Sequence, residues 1–224
     1  MSGYGLLGAA LLLAIADWIA LAKGWRKANY ILKPAVMLAI LAWLGQVGGY
    51  SGWLTWFALG ILFSLAGDIF LILPGKLFLA GLVAFLLAHL SYTIGFNPSL
   101  PPFFNLTSLT LAVMIGLPAF EVYRQISAGF RASSQNKLAL ALLGYVIALS
   151  LMTWSALLTL VRDDWQTAPA LLVSAGAILF LLSDTLLALG KFVSPIKNGQ
   201  LKTMITYHLG QILIVLGAAL HYLG

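Results

Sequence analysis

The chain has 224 residues, 62% of them hydrophobic and only 8% charged, with a formal net charge of +6 and no cysteine. A soluble domain carries about 25% charged residues, so this apolar surplus excludes a water-soluble globule and requires lipid around the fold. The missing cysteine excludes disulfides, thiolate chemistry and Cys-ligated metals, and the positive charge lies between apolar runs, where it reads as a membrane-topology signal and not as a nucleic-acid surface.

A bilayer core is crossed by about 20 apolar residues in a helix, and eight runs approach that length: 4–22, 29–46, 53–73, 76–95, 106–123, 136–160, 169–189 and 201–222. The first contains Asp17 and leads directly into further spans, so it is a retained helix and not a cleaved signal. The breaks are short and carry Gly48-Gly49, Pro74-Gly75, Pro98 with Pro101-Pro102, and Pro195 with Gly199. No linker separates domains, and residues 1–224 read as a single all-α integral membrane domain, an eight-helix transmembrane bundle.

Lys23, Arg26, Lys27, Lys33, Lys76, Arg124, Arg131, Lys137, Lys191, Lys197 and Lys202 all fall at odd-numbered connections, against Arg162 alone on the other side. The positive-inside rule then puts those connections in the cytoplasm and both termini outside, in a plasma membrane of bacterial type. Trp25, Trp53, Trp56 and Trp165 fall near span ends, as interfacial aromatics do.

The third span ends in LFSLAGDIFLIL and the seventh in LLSDTLLALGKF, so Gly67-Asp68 and Ser183-Asp184 stand at matching places, each followed by a lysine, Lys76 or Lys191. The first span of each half also ends with an acid, Asp17 or Glu121, which permits two parallel four-helix repeats. A carboxylate in such a run costs roughly 2.5–3.5 kcal/mol and marks a functional site by default.

Counted along ~1.5 Å of rise per residue, Asp17, Lys33, Asp68, Asp184 and His208 share a layer about 6–10 Å below the cytoplasmic end. Lys33 is also a structural partner for Asp17 across the first hairpin, and Glu121 pairs with Arg124 at i,i+3. His208 and Gln211 share one side of the last span, fitting either an interhelical contact or a catalytic group. His89 lies about 12 Å farther from the cytoplasm than Asp68, a distance that disfavours pairing. With Phe85, Tyr92 and Phe96 it marks one face suited to an apolar cavity. His221 lies farther still, so a three-histidine zinc site fails on depth.

These segments, with FLAGLVAFLLAHLSYTIGF, YHLGQILIV and the opening ADWIALAKGWRKANYILKP, resemble the YhhN-like membrane proteins, the lysoplasmalogenases, over nearly the whole chain. The resemblance implies an eight-helix membrane enzyme that cleaves the vinyl-ether bond of a lysophospholipid to a fatty aldehyde and glycerophosphoethanolamine or glycerophosphocholine. It implies Asp68 and Asp184 as catalytic residues, with Lys33, His89, Tyr92, Tyr207 and His208 around the substrate. Vinyl-ether hydrolysis begins with protonation of the β-carbon and passes through an oxocarbenium ion. A carboxylic acid and a neighbouring carboxylate supply what it needs without metal or cofactor. The expected arrangement is a coupled aspartate pair, with a lysolipid tail against the Phe85 face and its phosphate near Lys33, Lys76 or Lys191. Two other readings fit the paired acids: an intramembrane aspartyl protease, although Leu65 and Ser183 depart from that pattern, and a proton-coupled transporter.

Overall fold

The computed structural model describes residues 3–73, 77–99, 105–132 and 136–224, with side chains at 129–132 and 136–137 left aside. The Pro74-Gly75 break, Lys76, Pro101-Pro102, and the Arg131 and Lys137 side chains lie outside the described residues. Eight helices follow in order: α1 (Gly5–Ala22), α2 (Arg26–Val47), α3 (Leu54–Ile72), α4 (Phe78–Phe96), α5 (Leu106–Ala132), α6 (Asn136–Leu158), α7 (Thr167–Phe192) and α8 (Gly199–Leu223). A short 3₁₀ turn, Thr159–Val161, ends the sixth span. All eight are long and apolar enough to cross a membrane, and none of the described residues forms a strand. The chain is an integral membrane protein with a helical bundle fold.

Consecutive helices pack as four antiparallel hairpins, α1–α2, α3–α4, α5–α6 and α7–α8. α8 sits innermost, against α1, α2, α3 and α7, whereas α5 rests on α6 and α7 at the periphery. The pairing repeats between halves: α2–α3 matches α6–α7, and α2–α8 matches α6–α4. That correspondence agrees with a parallel duplication.

Water supplies no drive for helix association inside a bilayer, so close packing through small residues must do it. α7 and α8 meet backbone to backbone: a Cβ on Gly176 would stand 2.8 Å from the Gly210 carbonyl oxygen, and one on Gly210 would stand 2.9 Å from that of Gly176. Gly176→Ala is therefore expected to force the two helices apart at a cost of about 1–3 kcal/mol. A fall in the thermal midpoint in detergent checks this. Gly8→Ala, where nothing lies within 4 Å, is expected to hold or gain stability through better helix propensity.

At the end opposite the basic connections, the Arg162 guanidinium closes the bundle. It donates to the Phe96 carbonyl at 3.0 Å, Asn97 Oδ1 at 3.2 Å and Ser99 Oγ at 3.0 Å, and also bonds Asp164. The Arg162 hydrogen bond holds the Asp164 carboxyl below its usual range. The lone basic residue of this end is thus a buried clamp. Trp165 differs from the expected interfacial anchor, being buried and stacked on His221 at 3.8 Å.

Candidate active site

Two carboxylates lie at the heart of the basic half of the bundle, each with its own partners. Asp68, on α3, is fully buried, with Lys33 Nζ 2.9 Å from Oδ1 and the Tyr207 hydroxyl donating to Oδ2 at 2.8 Å. Gly67 precedes it because a Cβ there would meet the Phe85 ring at 2.6 Å. Pro34, inside α2, cannot donate to the Tyr30 carbonyl, so one intrahelical bond is missing beside Lys33.

Asp184, on α7, receives the Tyr145 hydroxyl on Oδ2 at 2.5 Å, and His89 Nε2 lies 3.2 Å from the same oxygen. His89 Nε2 is also 3.1 Å from the Tyr145 oxygen, while its Nδ1 is buried without a partner. Since Tyr145 gives its proton to the carboxylate, the His89 proton belongs on Nε2, shared between the two oxygens. Among the described residues, Asp184 Oδ1 takes no hydrogen bond.

The structure gives the two aspartates separate direct partners and no bond to each other among the described residues. Asp68 stands four residues before the end of α3, but α7 runs on to Phe192, eight residues beyond Asp184. Counted from the end of its own helix, Asp184 thus lies about 6 Å farther in than Asp68, and it is beside His89. Among the described residues His89 bonds Asp184 and not Asp68, in line with its distance from Asp68 along the sequence. An aromatic wall links the two sites: Phe180 packs edge-on to His89 at 4.9 Å and to Tyr207 at 5.4 Å, and Phe85 packs on both Phe180 and Tyr207.

Other expectations also shift. Lys33 bonds Asp68, and Asp17 instead accepts from Asn29 Nδ2 at 2.8 Å. Tyr92 and Phe96 are fully buried against Phe57, with the Tyr92 ring lying over Gly60. The Tyr92 hydroxyl donates to Gln211 Oε1 at 2.6 Å, and Gln211 Nε2 donates to Ser64 Oγ at 2.8 Å, a polar lock among α3, α4 and α8. His208 is buried between α1 and α8, accepting from Trp18 Nε1 at 3.2 Å. Glu121 and Arg124 pair as expected, at 2.9 Å. Tyr145 was not foreseen: a single tyrosine in the apolar run ALALLGYVIALSL gives little warning beyond its hydroxyl.

Two neighbouring cavities lie here. An open, narrow groove of about 70 Å³ is walled by apolar side chains of α3 to α7, among them Leu71, Phe85, Val122 and Leu142, with Asp184 and Tyr145 on its wall. A basin of about 510 Å³ opens at the basic end, lined by Arg26, Lys33 and Lys191 with Asn29 and Gln200, and by no carboxylate among the described residues. Leu71, Leu187 and Lys191 line both. A cationic basin beside an apolar groove fits an amphiphile with an anionic head and one tail. On the groove wall Asp184 lies seven residues, about 10 Å of helix, below Lys191.

The YhhN family matches residues 28–218 of the chain. Similar proteins include the lysoplasmalogenase TMEM86A of Homo sapiens, 32% identical over 163 residues covering 71% of this chain and 63% of the human one. The lysoplasmalogenase TMEM86B of Sus scrofa is 32% identical over 194 residues, 84% of this chain and 74% of its own. A lysoplasmalogenase of Mycobacterium bovis is 28% identical over 188 residues, 82% of this chain and 66% of its own. The chain thus spans just under two thirds of the human relative it matches. No solved structure matches it.

Proposed function

The chain belongs to the YhhN family, and from that membership and the neighbouring cavities we propose that it is a lysoplasmalogenase, hydrolysing the vinyl-ether bond of 1-alkenyl lysophospholipids. The observation that carries the reading is Asp184, a carboxyl turned onto an apolar groove about 10 Å below a cationic basin. A phosphate held by Arg26, Lys33 and Lys191 places the glycerol C1 oxygen of such a lipid near this carboxyl, with the alkenyl chain along the groove.

The reaction divides into three steps. The Asp184 carboxylic acid gives its Oδ1 proton to the β-carbon of the vinyl ether, leaving an oxocarbenium ion beside a new carboxylate. Tyr145 and His89 both aim hydrogen bonds at Oδ2, and these strengthen as the carboxyl loses its proton, so they favour the transition state over the ground state. Water then adds to the oxocarbenium carbon and returns a proton to Asp184. The resulting hemiacetal loses its hydroxyl proton, its bond to the glycerol oxygen breaks, that oxygen takes up a proton, and a fatty aldehyde and the glycerophospho-alcohol leave. Asp68 has a positioning role, holding the Lys33 ammonium at the rim of the basin. The products are glycerophosphoethanolamine or glycerophosphocholine according to the headgroup supplied.

The experiment is aldehyde release, by mass spectrometry, from purified protein given 1-alkenyl, 1-alkyl and 1-acyl lysolipids. In our reading the basic end is cytoplasmic, with both termini outside. In this cysteine-free chain, an impermeant maleimide added to intact cells is expected to label Asp163→Cys and spare Lys197→Cys. The reverse pattern would place the basin on the outer face.

A further inference from the structure

The groove has walls from both α4 and α5: Leu82 and Phe85 on one side, Ala119 and Val122 on the other. Yet among the described residues these two helices touch sparsely at most; α5 rests on α6 and α7. Val83, next to Leu82 on α4, is an exposed apolar residue, which in a bilayer faces lipid. The cleft therefore opens into hydrocarbon.

The other half of the duplicated fold shows what closes such a seam. The counterpart of α5 against α4 is α1 against α8, and that pair is packed. The segments correspond: Asp17 matches Glu121, and the His-Leu of 208–209 matches that of 89–90. In the closed seam Trp18 is the plug. Its Nε1 donates to the Met204 carbonyl at 3.3 Å and to His208 Nδ1 at 3.2 Å, and its ring stacks on His208. The residue after the acid in the second half is Val122, too small to span a seam and without a donor.

The groove is also short. Past Asp184 it reaches only Leu181 on α7, about 5 Å of rise, and past Tyr145 only Ser150 on α6, about 8 Å. A long alkenyl chain exceeds both, so the rest of the tail must leave the protein.

We propose that the α4–α5 seam is a bilayer-side portal, through which a single-chain phospholipid slides sideways to Asp184 while most of its tail stays in the surrounding lipid. This rests on the reading of the site as one that cleaves lysolipids. The tail is then not measured, and turnover is expected to change by less than about threefold among vesicle-embedded substrates whose tails all outrun the groove.

The test joins the two walls. Leu82→Cys and Val122→Cys are introduced together and bridged by a reducible bifunctional maleimide in phosphatidylcholine vesicles carrying a 1-alkenyl lysophospholipid. Bridging is expected to lower aldehyde release at least tenfold, and reductive opening of the bridge to restore it. Equal release from the bridged and opened protein would overturn the portal. A saturated 1-alkyl lysophospholipid with a photoactivatable group at mid-tail, given to the unaltered protein, reads the same route without catalysis. Adducts are expected on α4 and α5 along the seam; adducts on the α1 and α8 faces, or none that saturates, would overturn the proposal. Seam adducts without any aldehyde release would instead defeat the catalytic reading and leave the portal standing.

Discussion

Asp184→Asn is expected to reduce aldehyde release from a 1-alkenyl lysolipid by about 10²–10⁴-fold, the range over which a positioned general acid contributes. The substitution keeps the shape and the hydrogen-bonding capacity at position 184 but has no proton acidic enough for carbon. The side chain is buried and faces the groove, so no packed neighbour loses its place and the variant should elute and melt like the parent. Asp68→Asn is expected to behave differently. It leaves the Lys33 ammonium, itself buried, without its carboxylate, and breaking such a pair costs about 3–5 kcal/mol. Its lost activity should therefore come with lost thermal stability. Because the two carboxylates have separate partners, the double variant is expected to show losses that multiply, in contrast to groups acting as one unit. Asp163→Asn, exposed at the opposite end, should be silent. An Asp184→Asn protein that turns over substrate at close to the parent rate would reduce Asp184 to a structural carboxylate.

The second large effect concerns the substrate. If protonation of carbon starts the reaction, a saturated 1-alkyl lysolipid cannot form the oxocarbenium ion by that route, whatever its fit to the basin and groove. It should bind and compete, yet release no product above background. A 1-acyl lysolipid should also survive, since an ester calls for a nucleophile or an activated water at a carbonyl carbon, whereas the proposed reaction asks Asp184 only for proton transfer to carbon. Cleavage of the acyl lipid at a rate similar to the alkenyl one would make the protein an esterase and remove the reason for an acid in the groove.

Much of the bundle was legible because hydropathy is a one-dimensional signal: eight apolar runs of membrane-spanning length became eight helices, all but α5 within about three residues of the expected ends, α5 running on from Tyr123 to Ala132. The larger departures were at the basic end, where helices outlast their apolar stretch. α7 continues past Leu189 to Phe192, and that turn puts Asp184 farther from the end of its own helix than Asp68 is. Rise per residue locates a group along its own helix, but which neighbour it meets depends on where each helix ends. Lys33 accordingly went to Asp68 and not to Asp17. Helical periodicity placed Phe85, His89, Tyr92 and Phe96 on one side of α4 without saying which part of that side meets a cavity. Phe85 meets the groove, whereas Tyr92 is locked to Gln211 over Gly60. Tyr145 carried no pattern of its own. Its place beside Asp184 follows from α6 packing on both α4 and α7, a fact of tertiary structure.

The central claim is that the vinyl carbon is protonated and water then attacks the carbon next to oxygen. Turnover of a 1-alkenyl lysolipid in water carrying both deuterium and oxygen-18 tests it most directly, with the aldehyde reduced to its alcohol as it forms. Protonation at carbon predicts one deuterium at C2 of the fatty product and a glycerophospho-alcohol that retains its original oxygen at C1. A glycerophospho-alcohol bearing oxygen-18 at C1 would mean that water had attacked the glycerol carbon, and would contradict the mechanism.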